Sequence, residues 1–299
     1  MNELAALRLF CRVVERGSFS AVGRELGLSQ PSVSRRIADL EAHLGVQLLT
    51  RTTRKVAPTA AGRGYYDRVR GALRTLSEAR TELSSGVGEV AGSVRVAAPA
   101  AFGRQFVLPV LVDLMGKHAG LQVQLLLSDS SVDLIGEAID IAVRIATVAP
   151  QSFRQRRIGN ARQVVVASSE YLRSSAAGLR PEHAGEHCWV LAHTTLAAIE
   201  QLRGTPDFAA IPTIRPRFLC DDIEAVSSAV RAHIGVSVLP LWMVSDDLRN
   251  GTLIQLMPEL PLPAAPVVAL YAPTPVVPSR IRTVLDGLAL QVAADPATC

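Results

Sequence analysis

Apolar residues recur at helical spacing over the first 45 residues and divide them into three predicted helices. The first covers 3–16. Ser18 is a suitable N-cap for the second, because its hydroxyl can accept a bond from a first-turn N–H that has no helical partner. After a break at 27–29, Ser29 is the expected N-cap of a third helix at 30–44.

The third predicted helix has two unlike faces. Its apolar stripe consists of Val33, Ile37, Leu40 and Leu44. The opposite face is small, polar and partly basic, with Pro31, Ser34, Arg35 and Ala38 flanked by Ser32 and Asp39. Such a face fits the major groove of DNA and offers partners to phosphates and base edges. We interpret 18–45 as a helix-turn-helix with 30–44 as its recognition helix; the alternative is a surface helix of a bundle.

A two-stranded hairpin is predicted directly behind this helix. Apolar positions at 46–49 and 56 flank the polar, basic segment 52–55. Arg51, Arg54 and Lys55 can reach phosphates beside the groove, which would make the hairpin a wing. The alternative is a solvated basic loop.

A long helix is predicted at 60–84, with Thr59 as its N-cap. Residues at alternating spacings of three and four form a heptad seam: Tyr66, Val69, Leu73, Leu76, Arg80 and Leu83. The sequence that follows offers nothing to cover such a seam, so we expect a second copy of the chain to do so. The alternative is packing against the chain's own body.

The pattern changes after a glycine-rich hinge at 85–93. Predicted strands lie at 93–97, 123–127, 141–145, 164–167, 189–192, 217–220, 235–239, 253–256 and 267–271. Predicted helices lie at 106–116, 132–138, 169–173, 222–232 and 280–292. This alternation predicts an α/β fold with parallel sheets in two lobes, and a ligand cleft beyond the carboxyl ends of the strands.

Charge is concentrated in the N-terminal third. Residues 1–90 hold 14 of the 31 Lys and Arg residues and 9 of the 27 Asp and Glu residues, a net of +5, while the rest of the chain has −1. This distribution favours a polyanion-binding module attached to a near-neutral body. Scattered cysteines, no signal peptide and no apolar run of ~18 residues predict a cytoplasmic protein that does not span a membrane.

The motifs GSFS, LGLSQPSVSR, LE-x-x-LG, LL-x-RTTR and T-x-AG follow one another in the N-terminal region. Through them the first 64 residues resemble the winged helix-turn-helix of LysR-type transcriptional regulators. The resemblance continues more loosely at VRVAAPAAFGR, DLIGEAIDIAVRI, VVVASSEYL, IGVSVLP and DDLRNGTLIQL. It implies an α/β effector-binding domain of two lobes, similar to periplasmic binding proteins, and a small molecule that controls transcription.

The resemblance also implies the domain organisation and the partners. The domains would be a winged helix-turn-helix at 1–58, a linker and dimerisation helix with hinge at 59–92, and an effector-binding domain at 93–299. Lobe I would take 93–164 and 265–299, and lobe II 165–264. The partners would be double-stranded promoter DNA, a small-molecule effector, further copies of the chain in a homodimer or homotetramer, and RNA polymerase. No cofactor is implied, and the effector, the target genes and the sign of regulation stay open.

Carried over residue by residue, the resemblance assigns DNA contacts to Gln30, Pro31, Ser32, Ser34, Arg35, Arg51, Thr52, Arg54 and Pro58. It assigns the effector cleft to Pro99, Ala100, Ala101, Phe102, Arg144, Ile145, Ala146, a loop at His193, Thr194 and Thr195, and the segment from Phe218 to Asp222.

The chain departs from the family at two places in the body. Many members have a serine or threonine where this chain has Ala100 and Ala101, so no hydroxyl can bind an acidic effector there. Backbone N–H groups at the following helix start could replace it, or the ligand is less polar. Arg231 and His233 also replace residues that are usually small, and either narrow the cleft or point to solvent.

Other chemistry is less well supported. His183, His187 and Cys188 have a spacing that resembles that of metal ligands, because residues four apart share one face of a helix. Pro181 and Gly185 disfavour a regular helix there. Redox sensing by Cys220 is disfavoured because the neighbouring carboxylates oppose its thiolate. Asp221 more simply caps the next helix than shares acid–base work with Asp222. The basic run 154–157 is a second nucleic-acid patch, a solvated strand or a contact to a neighbouring subunit.

Two other function classes fit the sequence less well. The phosphate-binding glycine loop, the nucleophile elbow and the metalloprotease helix do not occur in the sequence, so an enzyme is not expected. A solute-binding protein without a transcriptional role is the alternative function. The predicted helix-turn-helix and the missing signal peptide argue against it.

Overall fold

The computed structural model describes residues 2–51, 56–84, 90–130, 133–134, 136–145, 153–175, 181–203, 205, 208, 213–260, 262–274 and 276–298. The chain forms two compact units. The first comprises Met1–Arg95, Gly120–Gln122 and Val132–Asp140, and the second comprises Val96–Ala119, Val123–Ser131 and Ile141–Cys299. Among the helices of these ranges, none combines the length and apolar character that a bilayer crossing requires.

The first unit contains the predicted helix-turn-helix, hairpin and long helix. Its elements are α1 (Glu3–Arg16), α2 (Phe19–Leu26), α3 (Gln30–Leu44), the antiparallel strands β1 (Leu49–Arg51) and β2 (Val56–Pro58), and α4 (Ala60–Ser84). The predicted caps are confirmed, since the hydroxyls of Ser18 and Ser29 accept bonds from the N–H groups of Ala21 and Ser32. Gly27 ends α2 in the left-handed region, with φ 66°, which allows the tight break.

One hydrophobic core holds these elements together. The apolar stripe of α3 is buried as predicted, with Val33, Ile37 and Leu40 inaccessible to solvent. The fully buried side chains around it include Phe10, Val13, Val22, Leu48 and Leu49. These contacts bury one side of α3 in the core and leave its other side exposed to solvent.

The first half of α4 joins the same core. Val69 is buried, Tyr66 and Leu73 pack against the cluster, and the rings of Phe10 and Tyr65 lie 5.8 Å apart. The expectation that nothing in the chain covers the heptad seam is therefore wrong for this half. Leu76, one turn further along, is 42% exposed. The side chains of Arg80 and Leu83 lie outside the described part of the chain.

Gly62, in the first turn of α4, allows this helix to begin close to Leu48, the residue before the hairpin. A Cβ atom on Gly62 would lie 1.9 Å from the carbonyl oxygen of Leu48. Thr59 binds the same segment, because its hydroxyl donates to the carbonyl of Gln47 and accepts from the N–H of Gly62. The T-x-AG motif is thus explained by a close approach of two backbones.

Substitution Gly62→Ala should destabilise the first unit by about 1–3 kcal/mol, because the new methyl group forces two backbone segments apart. Gly64→Ala is the matched control, since a Cβ atom at Gly64 meets nothing within 4 Å. That control should be neutral or gain about 0.5–1 kcal/mol from the better helix propensity of alanine. Urea unfolding of both variants measures the difference, and equal midpoints would contradict the close approach.

The second unit contains two five-stranded sheets and their helices. The first sheet has strands β3 (Gly92–Ala98), β4 (Leu121–Leu127), β5 (Ile141–Ile145), β6 (Arg154–Ala161) and β12 (Ala265–Tyr271) in the order β4-β3-β5-β12-β6. The second has strands β7 (Gln163–Ser168), β8 (Trp189–Ala192), β9 (Pro216–Cys220), β10 (Val236–Pro240) and β11 (Leu253–Leu256) in the order β11-β7-β10-β8-β9. The chain crosses between the sheets at Arg162 and returns after β11.

The helices of this unit include three that sequence patterns placed correctly and two that they missed. In chain order they are α5 (Ala100–Phe102), α6 (Leu108–Lys117), α7 (Ser169–Ser174), α8 (His193–Leu202), α9 (Ile223–Arg231), α10 (Leu241–Asn250) and α11 (Ser279–Ala293). A π turn, Gly103–Val107, joins α5 to α6, and a 3-10 helix covers Pro181–Glu186. The predicted helix at 106–116 therefore begins earlier, at Ala100, and α8 and α10 were not predicted.

Two sequence expectations about this unit are wrong. Both sheets are mixed rather than parallel, because β12 runs antiparallel to β5 and β6, and β7 runs antiparallel to β10 and β11. The predicted helix at 132–138 is absent from the described part of that segment, which forms turns. Asp133 caps the N–H of Gly136 there, and Ala138 adopts φ 51°, which ends any helical course.

Candidate DNA-binding surface and ligand cleft

The solvent side of α3 carries the residues expected to contact DNA. Gln30, Pro31 and Arg35 are exposed, and Ser32 and Ser34 are half-buried. Their positions follow from the helix period, because the buried stripe occupies the other side. The result is a polar surface that includes the cationic side chain of Arg35, with exposed Arg36 next to it, and the buried stripe packs against the core on the other side.

Glu41 fixes the hairpin to the recognition helix. Its Oε1 atom accepts bonds from the backbone N–H groups of Leu48, at 2.8 Å, and of Leu49, at 2.9 Å. Charged acceptors of this kind make strong hydrogen bonds. Sequence reasoning missed this role, because hydrophobic spacing does not indicate which charged side chain turns towards a neighbouring backbone.

The hairpin itself is formed as predicted, but only part of its expected DNA-contacting set is described. Pro58 lies in β2, half-buried and opposite Leu49. Arg51 ends β1, and its side chain, like the whole of Thr52 and Arg54, lies outside the described residues.

Ion pairs join α1 to α2 on the surface. Glu25 accepts hydrogen bonds from Arg12 and Arg16. The bond from Arg12 is the main reason that the pKa of Glu25 lies below its usual value. Cys11 sits in the core beside them, where burial raises the pKa of its thiol to about 11. Cys11 is therefore a protonated, unreactive core residue.

Strand pairing brings together the lobe I residues expected in the ligand cleft. Strands β3 and β5 are parallel, with Ala97 opposite Ala142, so the turn at Pro99 lies beside Arg144. Ala101 and Phe102 are buried, whereas Pro99, Ala100, Arg144 and Ile145 are half-buried. Ala146 lies outside the described residues.

The start of α5 is already bound by an acidic side chain. The backbone N–H of Ala100 donates to Oδ1 of Asp129 at 3.0 Å. An anionic ligand at this helix start would meet that carboxylate, so the backbone alternative to the missing hydroxyl is disfavoured. Asp129 did not stand out in the sequence.

Arg144 is a partly buried cation. Its Nη1 atom donates to the carbonyl of Val143 at 3.0 Å, and burial lowers the pKa of its guanidinium. Within the described ranges, no carboxylate forms an ion pair with it. A cation in this state would gain from an anion brought close to it.

The lobe II residues of the expected cleft also converge. Ala192 pairs with Cys220, which places the start of α8, with exposed His193 and Thr194, beside Asp222. The expected loop at 193–195 is thus the first turn of a helix. Asp222, rather than Asp221, caps α9 by accepting bonds from the N–H groups of Glu224 and Ala225. Phe218 remains 38% exposed.

Direct contacts join these two sets of residues across the lobes. Arg104, after α5, forms an ion pair with Glu224 of α9. Phe102 and Phe106 each pack edge-on against Trp242 of α10, with ring centroids 5.6 Å apart. The starts of α5, α9 and α10 therefore meet, and the sequence did not indicate the role of Trp242.

The bulky residues at the end of α9 bind lobe II. Arg231 bonds to Asp247 and to the carbonyl of Met243. The Nδ1 atom of His233 lies 2.8 Å from the hydroxyl of Ser168. Both side chains thus contact α10 or the end of β7, at the opposite end of α9 from Asp222.

Three of the side chains considered above for metal binding and for a second nucleic-acid patch have partners within the chain. His183 pairs with Glu186, and the Nδ1 atom of His187 lies 3.5 Å from the hydroxyl of Tyr171. Across the described ranges, no three His, Cys, Asp or Glu residues are grouped so as to hold a metal. In the basic run, Arg156 pairs with Asp286 of α11.

Two family models match the sequence of this chain, one in each part. Residues 4–63 match the bacterial regulatory helix-turn-helix protein of the lysR family, and residues 88–292 match the LysR substrate binding domain. The HTH-type transcriptional regulator PtxR of Pseudomonas aeruginosa is 32% identical over 301 residues, covering 99% of this chain and 94% of PtxR.

Solved structures agree in fold. CrgA, a LysR-type transcriptional regulator from Neisseria meningitidis, has 27% identity and a TM-score of 0.59, covering 96% of this chain and 97% of CrgA. ArgP from Mycobacterium tuberculosis has 20% identity and a TM-score of 0.71, covering 96% of both chains, and shows the fold alone. The fold and the winged helix-turn-helix define a transcriptional regulator with an attached ligand-binding domain. The chain belongs to the LysR family of transcriptional regulators.

Glu41→Ala should destabilise the first unit by about 2 kcal/mol, because the N–H groups of Leu48 and Leu49 lose their acceptor. Hydrogen exchange of these two amides should become faster, and promoter binding should weaken as the hairpin loses its fixed position. Asp39→Ala removes an exposed carboxylate from the same helix and is the control for hydrogen exchange, which it should leave unchanged at both amides. Unaltered exchange at both amides in Glu41→Ala would refute the positioning role.

Proposed function

We propose that this regulator binds double-stranded promoter DNA with the solvent side of α3 in a major groove and the hairpin beside it. The contacts would come from Gln30, Pro31, Ser32, Ser34 and Arg35 on α3, with Arg51, Thr52, Arg54 and Pro58 in the hairpin. We further propose domain limits of 1–58, 59–92 and 93–299, and a cytoplasmic location with the DNA. RNA polymerase is a further proposed partner.

The observation that carries this proposal is the two-sided burial of α3. Val33, Ile37 and Leu40 are buried while Gln30, Pro31 and Arg35 are exposed. A helix held in this way presents polar groups at a fixed spacing, as direct reading of base edges requires. A solute-binding protein without a regulatory role would not need such a surface, and an enzyme is disfavoured on the same ground.

Arg35→Ala should weaken binding to the intergenic DNA beside the regulator's own gene by about 1–3 kcal/mol, because it removes a base or phosphate contact. Fluorescence anisotropy over a series of salt concentrations measures this loss. Arg249→Ala removes the same charge from exposed α10 and serves as the control. If both variants bind as tightly as the unmodified chain, α3 is not the DNA-reading helix.

We also propose that the chain works as a homo-oligomer, a dimer or tetramer. Leu76 of α4 is 42% exposed beyond the part of the seam that the core covers. A second apolar stripe is exposed on α6, where Leu108, Val112 and Met115 are 41%, 54% and 38% exposed. A further copy of the chain would cover such stripes, and pairing of two α3 helices would match a two-fold symmetric operator.

Leu76→Lys should shift the chain towards smaller oligomers, because it puts a charge into the proposed apolar interface. Ala72→Lys adds the same side chain at an exposed position of α4 outside the seam and should leave the assembly intact. Light scattering at several concentrations distinguishes the variants. An unchanged mass for Leu76→Lys would mean that α4 does not form the interface.

The effector is proposed to bind between the lobes, near Pro99 to Phe102, Arg144 to Ala146, His193, Thr194 and the segment from Phe218 to Asp222. Arg144, partly buried and without an acidic partner in the described residues, favours an effector with an anionic group. Asp129 at the start of α5 disfavours that helix start as the place for the anion. Effector binding would then shift the lobes and the spacing of the paired DNA-binding domains.

A further inference from the structure

The basic run at 154–157 lies on β6, which forms one edge of the first sheet. On its inner side β6 pairs with β12, with Arg154 opposite Tyr271 and Ala161 opposite Ala265. No strand of the described ranges lies on its outer side. An edge strand presents backbone N–H and C=O groups that a further extended segment can bind.

The chain itself covers the second half of β6. The N–H of Asn160 donates to the carbonyl of Thr298, in the segment after α11, at 2.8 Å. Gly159 permits this approach, because a Cβ atom there would lie 2.8 Å from the same carbonyl oxygen and 2.5 Å from a methyl group of Val292. Across the described part of the chain, no backbone bond from outside the sheet reaches 154–157. The outer side of β6 is therefore occupied at one end and open at the other.

The open half of β6 has positive charge that its surroundings do not balance. Arg156 pairs with Asp286 of α11 at 2.6 Å. Arg157 binds the uncharged side-chain oxygen of Asn160. Neither Arg157 nor exposed Arg154 forms an ion pair with a carboxylate of the described residues. Two guanidinium groups on this open edge could therefore each bind an anionic group from outside the chain.

The arginines lie on both faces of the sheet edge. Arg156 points to the side covered by α11, because it bonds to that helix. Successive side chains of a strand alternate between the faces, so Arg154 shares this side and Arg157 points to the other. A strand added along 154–157 would have a guanidinium group next to each of its faces. Carboxylates on both faces of the added strand would be stabilised by these neighbours.

Two other partners fit this edge less well. Pairing of β6 with β6 of a second copy would bring arginines opposite arginines, and like charges in that arrangement are unfavourable. DNA would have to be attracted to a body, residues 91–299, whose net charge is −1. Phosphates could also bind only the N–H groups of the open edge and would leave its C=O groups unused.

We propose that the open half of β6 docks an extended acidic segment of another protein, which adds a strand to the first sheet. Backbone hydrogen bonds along 154–157 hold the segment, and its carboxylates pair with Arg154 and Arg157. The docking edge shares no residue with the proposed DNA contacts or with the proposed effector cleft. Its role can therefore be separated from both by mutation.

A designed peptide tests the docking edge on the full-length protein. The probe is the fluorescein-labelled hexapeptide Glu-Val-Glu-Glu-Val-Glu, which as a strand has carboxylates on both faces. Fluorescence anisotropy should show saturable binding. The same peptide N-methylated at every residue keeps its carboxylates but cannot donate backbone hydrogen bonds, so it should bind about tenfold more weakly.

Hydrogen exchange locates the bound peptide. Saturation with the acidic hexapeptide should slow the exchange of amides within 154–157, because an added strand supplies acceptors on the open side of β6. Strand β11 is the internal reference, since it forms an edge of the second sheet and has exposed Ile254 and Gln255. Its amides should exchange at the same rate with and without the peptide.

Matched double variants test the contribution of the arginines. Arg154→Ala combined with Arg157→Ala should weaken peptide binding by about tenfold or more, because both uncompensated guanidinium groups are lost. Arg173→Ala combined with Arg249→Ala removes the same charge from exposed positions of α7 and α10 and should change the affinity by less than about twofold. Both double variants should bind promoter DNA like the unmodified chain, so the outcome is independent of the proposed DNA-reading role of α3.

Three results would overturn the proposal. Absence of saturable binding by the acidic hexapeptide would mean that the arginines only keep β6 from pairing with other chains, as charges on edge strands often do. Equal affinity for the N-methylated peptide would exclude strand addition. A loss of promoter binding in the Arg154 and Arg157 double variant, with unchanged peptide binding, would assign this surface to nucleic acid. The first two results come from the unmodified chain, whatever the behaviour of the variants.

Discussion

Burial of one side of α3 is the constraint on which the DNA-binding surface depends. Val33, Ile37 and Leu40 are inaccessible to solvent, and together with Leu48 and Leu49 they fix the rotation of the helix about its axis. A helix that is fixed in this way cannot turn its polar side inward without exposing the stripe. Glu41 then ties the hairpin to the same helix through two backbone N–H groups. Helix α3 and the hairpin are therefore held in a fixed relation to each other by these two bonds and the shared core.

In the second unit, an aromatic contact fixes the relative position of the helices around the ligand cleft. Phe102 at the end of α5 and Phe106 in the π turn after it pack against Trp242 from lobe II, and the Arg104–Glu224 ion pair joins the same segments. These contacts bring the starts of α5, α9 and α10 together. Near the cleft, Arg144 is a partly buried cation that pairs with no carboxylate among the described residues.

The helix-turn-helix was predictable almost residue by residue, because its signals are local. Serine caps, a glycine break and an apolar stripe all act within one or two turns of helix. The same is true of most strands of the body, whose β-branched runs stand out, whereas the arginine-rich β6 has no such run and is missing from the predicted strands. The helix expected at 132–138 failed because Asp133 and Ala138 form turns that periodicity does not distinguish from one short helical turn. Helix α8 was missed because its polar first turn looked like a loop.

The sequence by itself determined helix α3, the hairpin, the α/β alternation of the body and the family, since each rests on neighbouring residues or on ordered motifs. The tertiary structure decided how strands pair and which distant side chains meet. The mixed sheets, the burial of Val69 against the first unit's core, the bonds of Glu41 and the packing of Phe102 on Trp242 join residues far apart in the chain or on separate elements. Such contacts depend on the path of the backbone, and residue periodicity carries no record of that path.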